Sequence, residues 1–487
     1  MKFSIMLRIS SLLSILYIAT FCKPNDPEPF VAVEREDAKT IAETRQYNEH
    51  QVPTSIRITD PGMEGVFKLD AGDRTTPDNM GTVLVTVNGA RYKRAFTGPG
   101  IATWFGVTTS DDDIGPELQN AVNAVDNLVI PDGSYTQQTT VRLRSEMTLQ
   151  GNAGKVMITL PKTYVSLANA IDASIPLKNV VIDGLSWTVT TTETGTNKFG
   201  TIYIDSPSVT NLTVQNCSSS DVAARDSTNW FTLKIPAGKT ADNIIVRNNS
   251  VQAKRMACEI FNHDNPSIYA GKNIQVSGNF FHDSWFGISL SGPLENLTVD
   301  NNHIKDCRHF GIEIAGAARG VKITNNKFEG VFDKFLEGSN DGGGNGSLVG
   351  GMEITGNSTI GTCTGGIQLF NGGAVTFAKN NFAMTGMLEL FSSTKGGTFS
   401  ENVIESSANK AVICDNSADH TFTGNTISNK NSSVNQATFM SYGSKAVNNT
   451  LTNNKIFKGR GGKYYDGVEG GTYKATMNYD ESGNPLP

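Results

Sequence analysis

One short phrase recurs from Asn216 to Lys458: an asparagine and an apolar residue, then a variable loop, a small residue and an alternating apolar strand. The phrase is clearest in NNHIKDCRHFGIEIAG (301–316) and returns in GNFFHDSWFGISLSG (278–292). Its anchoring asparagines are Asn216, Asn249, Asn279, Asn302, Asn326, Asn357, Asn380, Asn402, Asn425 and Asn454. They follow one another at steps of 33, 30, 23, 24, 31, 23, 22, 23 and 29 residues. A repeat of this length, built from strand-like segments, predicts a solenoid of stacked repeats.

Apolar and polar residues alternate within each repeat, as in Leu297-x-Val299 before the asparagine and Ile312-x-Ile314 after the loop. This period of two predicts strands with one buried face, and each repeat contains three such segments. One repeat cannot bury its inward face alone, whereas parallel stacking about 4.7–4.9 Å apart builds sheets around a shared core. We therefore predict an all-β, single-stranded right-handed parallel β-helix over residues 136–458, with an N-terminal capping helix.

The N-terminus has the pattern of an export signal. Lys2 and Arg8 precede an apolar stretch, residues 9–21, which ends at Cys22. A basic start followed by a short apolar segment predicts a signal peptide over residues 1–22 and a secreted, periplasmic or outer-surface protein. A cysteine at this point resembles a bacterial lipoprotein signal, so membrane attachment through a lipidated Cys22 is one alternative, and simple export with cleavage nearby is the other. The Pro- and charge-rich residues 23–55 are then expected to form a tether.

Residues 56–135 do not repeat and are expected to form a hairpin and a capping segment. The stretch 81–96 alternates valines around Asn88-Gly89, which predicts a β-hairpin. Residues 114–125 form an amphipathic pattern, with Asp113 as the expected N-cap and Pro116 at an early helical position. Its apolar stripe consists of Leu118, Ala121, Val122 and Val125. At the other end, residues 459–487 are a polar tail, expected to cap the last turn through Tyr464 and Tyr465 or to run loosely along the solenoid.

Four consecutive features before the repeats resemble a known family. They are Trp-Phe-Gly at 104–106, an Asp-rich loop at 111–113, the helix at 114–125 and an Ile-Pro-x-Gly-x-Tyr strand pair at 130–135. This order resembles the entry segment of the pectate-lyase-like superfamily, which includes phage tailspikes and many secreted bacterial glycan enzymes. The resemblance covers about residues 60–458 and implies a glycan-active protein. The motifs of polygalacturonases and pectate lyases are absent, so it implies no particular activity.

Alignment of the GIEI-type strands predicts which side chains share a face. The inward positions are Ile202, Leu233, Cys258, Ile288, Ile312, Ile367 and Leu388. The outward positions are Tyr203, Lys234, Glu259, Ser289, Glu313, Gln368 and Glu389. The loops beside these strands carry further polar and aromatic residues, namely Lys254, Arg255, His263, Asp264, His282, Asp283, Trp285, Arg308, His309, Asp333 and Lys334. His303 falls on a different strand and is left out of this face.

Glu259 and Glu313 are the first candidates for catalysis, because they occupy equivalent positions two turns apart. Their Cα atoms should lie about 9.5 Å apart, at the upper edge of the spacing in inverting glycosidases. One carboxyl would protonate the leaving oxygen while the other activates water, and His309 and Arg308 would tune them. The expected polysaccharide-binding residues are Tyr203, Lys234, Lys254, Arg255, His263, His282, Asp283, Trp285, Gln368 and Glu389.

Two other functions use the same face. A polysaccharide lyase would neutralise a uronate carboxylate with Arg255 or Arg308 and remove the α-proton with Lys234, His309 or His263. Ca²⁺ held by Asp264 and Asp283 is conceivable only for that reaction, and no cofactor is otherwise expected. A non-catalytic glycan-binding or adhesive protein would use the outward residues for binding alone. The net charge of −6 argues against a general nucleic-acid binder.

Overall fold

The structure is a computed structural model that describes residues 30–161, 166–169, 175–190, 200–222, 228–262, 268–339, 351–370, 374–391, 396–431, 436–459 and 462–487. The described residues do not include the predicted signal peptide with Cys22, the loop residues His263 and Asp264, or the Gly-rich residues 340–350. The chain divides into two compact units, one formed by Met1–Asp78 with Thr82–Ala95 and the other by Asn79–Gly81 with Phe96–Pro487.

The first unit is a five-stranded sheet with one short helix, Ile41–Arg45. Its strands, in chain order, are Val31–Lys39, Gln51–Ile58, Gly65–Leu69, Val83–Val85 and Arg91–Arg94. The first two strands pair in parallel, and the remaining pairs are antiparallel. The predicted hairpin is present, with Val83 opposite Lys93 and Gly89 at a positive φ of 81°.

The predicted tether is wrong for residues 31–55, which belong to this sheet. Val52 and Ile56 are fully buried, so the second strand supplies core side chains although its surroundings are rich in charge. The helix between the two strands begins with a capping box, in which Thr40 and Glu43 each accept a hydrogen bond from the other's backbone N–H. The strand Val31–Lys39 is largely exposed, which explains why its composition resembles that of a linker.

The second unit contains three long parallel sheets, and successive coils add one strand to each. The first sheet has 15 strands: Gly100–Ile101, Asn127–Val129, Met147–Gln150, Leu177–Asp183, Ser208–Gln215, Thr240–Arg247, Gly271–Ser277, Leu294–Asp300, Arg319–Thr324, Met352–Thr355, Val375–Ala378, Thr398–Ser400, Thr421–Thr423, Asn449–Thr452 and Tyr473–Thr476. The second sheet has 13 strands: Gly133–Thr136, Val156–Leu160, Ser186–Val189, Ser218–Asp221, Ser250–Gln252, Phe280–His282, His303–Lys305, Lys327–Glu329, Ser358–Ile360, Asn381–Met384, Val403–Ser406, Thr426–Asn429 and Lys455–Phe457.

The third sheet contains the GIEI-type strands of the repeat. It also has 13 strands: Val141–Leu143, Leu167–Asn169, Ile202–Asp205, Phe231–Ile235, Met256–Asn262, Phe286–Ser291, Phe310–Ala315, Lys334–Ser339, Gly366–Phe370, Leu388–Phe391, Val412–Asp415, Ala437–Tyr442 and Lys463–Val468. The inward side chains of all three sheets form one continuous apolar core. This architecture confirms the predicted single-stranded right-handed parallel β-helix.

A ladder of buried asparagines joins successive coils at the corner between the first and second sheets. In a typical step the Asn302 amide donates to Asn326 Oδ1 (2.9 Å) and to the Val276 carbonyl (2.9 Å). The Asn302 backbone N–H also donates to Asn326 Oδ1 (3.0 Å). The side chain therefore satisfies groups on three coils, as a buried amide must.

Two ends of the predicted repeat need correction. Asn216 is exposed at a φ of 54°, and the next residue, Cys217, occupies the ladder position by donating its N–H to Asn249 Oδ1. At the other end the ladder continues past Asn454 to Asn478, because residues 463–476 form one more coil rather than a loose tail. Tyr465 packs into the core there, as one of the two tail alternatives proposed.

The helix predicted at 114–125 is present as Gly115–Ala124, and Leu118, Ala121 and Val122 are fully buried in the solenoid core. Ile114, not Asp113, is the N-cap residue. Asp113 instead accepts hydrogen bonds from the backbone of Gly115, Gln138 and Thr139, which joins the start of the helix to the first coil.

Candidate active-site face

The register of the third sheet defines an outward row, one residue from each coil. In order along the solenoid the row consists of Tyr203, Thr232, Glu259, Ser289, Glu313, Glu337, Gln368 and Glu389. The residues on either side of each position, such as Ile312 and Ile314, are fully buried, so the row faces away from the core. Glu259 and Glu313 lie two coils apart, as predicted.

Lys234 is the one predicted member of the outward row that the observed register places outside it. It lies two residues further along its strand, opposite Asp205, and Thr232 takes its place in the row. Lys234 Nζ donates to Asp205 Oδ2 (2.8 Å), and this hydrogen bond raises the pKa of Lys234. A shift of two residues leaves a side chain on the same face, so the alternation in the sequence carried no sign of it. Burial raises the pKa of the neighbouring Tyr203.

Hydrogen bonds orient the carboxylates of the row. Glu259 Oε2 accepts from Asn229 Nδ2 (2.7 Å) and from Thr232 Oγ1 (3.2 Å). Glu313 Oε2 accepts from Ser289 Oγ (2.5 Å). These donors are uncharged, and they fix the orientation of the carboxyl groups that they contact.

Glu337 is a candidate site residue that the sequence analysis did not include. It lies directly opposite Glu313, so strand spacing places the two residues about 4.8 Å apart, and its side chain is only 7% exposed. Glu337 begins the Gly-rich stretch 337–351, a composition that predicts a loop, whereas Lys334–Ser339 is a strand. The available signal was the pair Leu336-Glu337, which repeats Ile312-Glu313 of the coil before it.

An aromatic cluster lies at the corner where the chain passes from the second sheet to the third. Trp285, which is 39% exposed, stacks on His309 at 5.1 Å between ring centroids. His309 also stacks on Phe310 at 3.9 Å, and its Nδ1 contacts Asp333 Oδ2 at 2.8 Å. Phe310 precedes Glu313 by three residues, so this cluster is about 10 Å from the carboxylates of the row. We call these residues the aromatic corner.

The predicted basic residues lie along the same corner. Lys254 and Arg255 are half-buried and immediately precede the strand Met256–Asn262, while Arg308 is exposed beside His309. They border the outward row at the ends of its strands. The corner thus combines flat rings with positive charge, and the row next to it supplies carboxylates.

The remaining predicted residues divide between the second sheet and the corner. His282 is the last residue of the second-sheet strand Phe280–His282, so it lies beside the third-sheet face rather than on it. Its Nδ1 contacts Asp283 Oδ2 at 2.8 Å. His303 was correctly excluded, because it also lies on the second sheet, where it contacts Glu329. Within the described ranges, no group of three or more His, Cys, Asp or Glu residues is arranged to hold a metal ion.

Comparisons with known proteins agree with the fold. A family model described as a right-handed β-helix region matches residues 200–382, and one described as a phage tail protein small four-stranded β-sheet domain matches residues 37–97. A capsule K1-specific depolymerase of Klebsiella phage K64-1 is 24% identical over 299 residues, which cover 51% of this chain and 33% of that protein. The chain therefore spans about a third of the length of this relative.

Two solved structures are similar at low sequence identity. The tailspike protein of Acinetobacter baumannii phage AM24 is 15% identical, with a TM-score of 0.43 over 80% of this chain and 65% of that chain. The A-module of the Azotobacter vinelandii mannuronan C-5 epimerase AlgE6 is 13% identical, with a TM-score of 0.45 over 80% of this chain and the whole of that module. In the part of the chain that the structure describes, no helix is long and apolar enough to cross a membrane.

Proposed function

We propose that this protein is an extracellular polysaccharide depolymerase whose outward row on the third sheet cleaves the glycan. The observation that carries the proposal is the register that aligns Glu259, Glu313 and Glu337 on one face, beside the aromatic corner. The similarity of half the chain to a capsule depolymerase supports the same substrate class. Flat rings such as Trp285 can pack on sugar rings, while carboxyl groups supply acid–base chemistry.

Glycoside hydrolysis is the reaction that this arrangement supports best. It needs one carboxyl that is ionised and one that carries a proton. We assign the ionised role to Glu259, whose Oε2 accepts hydrogen bonds from Asn229 and Thr232. Glu313 and Glu337 lie on adjacent coils, where two negative charges would repel, so a proton shared by this pair is favoured.

The steps then follow from these charge states. The protonated carboxyl of the Glu313–Glu337 pair donates its proton to the glycosidic oxygen as that bond breaks. Glu259 accepts a proton from the water that attacks the anomeric carbon. Two coils separate Glu259 from Glu313, about 9.5 Å between Cα atoms, which leaves room for that water and favours inversion.

Elimination is the second candidate, and the basic residues Lys254, Arg255 and Arg308 beside the row favour it. Their positive charges are suited to neutralising the carboxylate of a uronate, which acidifies the neighbouring proton. His309 would then be the candidate base, because the contact with Asp205 raises the pKa of Lys234 and keeps it protonated. This reaction applies only to an acidic glycan, whereas hydrolysis applies to acidic and neutral chains alike.

The experiment is a cleavage screen of the protein on acidic and neutral capsular and exopolysaccharides. New reducing ends and the ultraviolet absorbance of an unsaturated uronate are recorded together. Hydrolysis gives reducing ends without the absorbance, and elimination gives both. Glu259→Gln and Glu313→Gln should each lower the rate by about 10²-fold or more. Glu353→Gln, on the first sheet near Lys322, is the matched control and should leave the rate unchanged.

The outcomes separate the functions. Cleavage that survives both substitutions would move the reaction away from this row. Retention of a glycan without cleavage across the panel would replace the depolymerase with a binding or adhesive protein. Whether Cys22 carries a lipid is tested separately, by the mass of the mature N-terminus.

A further inference from the structure

A groove of about 330 Å³ lies on the outer face of the second sheet, away from the row of carboxylates. Small hydroxyl side chains on consecutive coils form its floor. The lining residues with outward side chains are Met157, Ser186, Thr188, Ser218, Ser220, Ser250, Gln252 and His282. We call this surface the serine groove.

The register explains why the surface is concave. One outward row runs Met157, Ser186, Ser218, Ser250 and Phe280, so three small residues lie between two large ones. The next row runs Thr188, Ser220, Gln252, His282 and Lys305, so larger side chains follow Ser220. The depression is thus built by the choice of side chains on a regular sheet.

The polar groups of the groove are already ordered by one another. Ser218 Oγ donates to Ser186 Oγ (2.8 Å), and Ser220 Oγ donates to Gln252 Oε1 (3.3 Å). At the rim, the His282 ring stacks on Phe280 at 4.5 Å with an interplanar angle of 20°. Its Nδ1 contacts the Asp283 carboxylate, which orients the ring by a second contact.

The chemistry of this lining indicates an uncharged ligand. Among the described residues that line the groove there is no Asp, Glu, Lys or Arg. Lys305, which follows His282 in its row, is already paired with Glu329, so these residues offer no free counter-charge to a phosphate or a uronate. Hydroxyl and amide groups both donate and accept, which suits the hydroxyls of a sugar. Stacked rings at one end and the exposed Met157 at the other give apolar contact with sugar C–H groups. The volume lies at the lower end of the range for ligand sites, roughly 300–1,000 Å³.

We propose that the serine groove is a second carbohydrate-binding site, which takes neutral hexopyranose units of a polysaccharide. It lies on a different sheet from Glu259, Glu313 and Glu337 and binds sugar without cleaving it. A second point of attachment would hold a long polysaccharide near the outward row of the third sheet and raise its local concentration there. The site does not depend on which reaction the third sheet performs.

The experiment measures binding of defined probes by isothermal titration calorimetry. The neutral probes are linear hexasaccharides of glucose, galactose and mannose, and a hexasaccharide of galacturonic acid is the charged comparator. Ser220→Tyr fills the groove and should weaken binding of the neutral probe by about tenfold or more. Ser358→Tyr is the matched control, because Ser358 also faces outward on the second sheet but lies outside the groove.

Gln252→Ala provides a second test that adds no bulk. It should weaken binding of the same neutral probe by a smaller factor. Thermal unfolding of each variant verifies that it is folded. The proposal is overturned if no neutral probe binds, if the acidic probe binds more tightly, or if both tyrosine variants lose binding equally. Loss of binding in Glu313→Gln but not in Ser220→Tyr would place the ligand on the third sheet and would also overturn it. The cleavage screen described above tests the outward row of the third sheet independently of this binding experiment.

Discussion

Glu337 changes the chemistry of the outward row, because a carboxyl group one coil from Glu313 makes a pair of like charges. Glu313 also accepts a hydrogen bond from Ser289. In the proposed mechanism the two like charges share one proton, which is the state that a general acid needs. The role proposed for Glu337 therefore depends on its position beside Glu313.

Glu337→Gln is expected to lower the cleavage rate by about 10²–10⁴-fold, because it removes the partner that keeps a proton in the pair. The alkaline limb of the pH–rate profile, which reports the acid, should move to lower pH in the variant, because Glu313 then loses its proton more readily. Rates measured from pH 4 to 9, with Glu353→Gln as the control, test this. An unchanged profile in Glu337→Gln would show that Glu313 acts without it.

Asp113 contributes stability that depends on pH. Burial alone would raise its pKa, but hydrogen bonds from Thr139, Gln138 and Gly115 outweigh burial and lower the pKa below its usual 3.8. A carboxyl with a lowered folded-state pKa stabilises the protein above its unfolded pKa. That contribution is lost as the pH falls through the folded-state value.

Asp113→Asn should therefore lower the melting temperature at pH 7, by an amount that corresponds to about 1.5–3 kcal/mol. The difference from the unsubstituted protein should shrink as the pH falls from about 4 through the lowered folded-state pKa of Asp113, because its carboxylate is then protonated. Calorimetry across this range tests it, with the exposed neighbour changed in Asp112→Asn as the control. A constant difference at every pH would mean that the charge of Asp113 is irrelevant.

At the scale of the element, each corner between the first and second sheets uses neighbouring residues for two tasks. Asn325 adopts a positive φ of 56°, a conformation that asparagine tolerates better than most residues. Asn326, fully buried, is a member of the ladder and donates to the Val299 carbonyl and to Asn357. One residue turns the chain, and the next ties it to the coils on either side.

Substitution of these two neighbours should separate the tasks. Asn325→Ala is expected to cost about 1–2 kcal/mol, mainly from the strained backbone, because the hydrogen bond that Asn325 donates to Asp300 is exposed. Asn326→Ala should cost about 3 kcal/mol or more, because it leaves buried groups of Asn302 and Val299 without their hydrogen bonds. Urea unfolding of both variants measures the difference. Equal losses would contradict the division of roles, and Asn325→Gly should be milder than Asn325→Ala.

The placement of Lys234 shows what an element's own pattern leaves open. Alternation correctly predicted that Ile202 and Leu233 point inward and that Lys234 points outward. Which outward residues of adjacent coils are neighbours depends on where each loop delivers its strand, and loops of different length precede these strands. Lys234 therefore pairs with Asp205, and Thr232 with Glu259.

At the scale of the whole molecule, the solenoid is a one-dimensional stack in which each coil contacts only the coils beside it. A cavity created in one coil should therefore destabilise that coil and its neighbours, so cavities at different places in the stack should affect different regions. Ile312 lies in the middle of the stack, and Leu451 in one of its last coils, with both side chains fully buried.

Ile312→Ala and Leu451→Ala should each cost about 2–5 kcal/mol locally. Hydrogen exchange followed by mass spectrometry should show faster exchange on both sides of residue 312 in the first variant. In the second, faster exchange should be confined to the coils from Thr421–Thr423 to the C-terminal end. Faster exchange near residue 312 in Leu451→Ala would show that the stack opens as one cooperative unit.

The sequence by itself determined the solenoid, the three strands per coil and the inward or outward direction of the residues named on the GIEI-type strands. These properties follow from local patterns, a period of two and an asparagine at each corner, which any coil displays alone. The tertiary structure decided which outward residues meet: Glu337 beside Glu313, Lys234 beside Asp205, and His282 at the edge of a different sheet. Such neighbours arise from hydrogen-bonded register between coils of unequal length, and no single repeat contains that information.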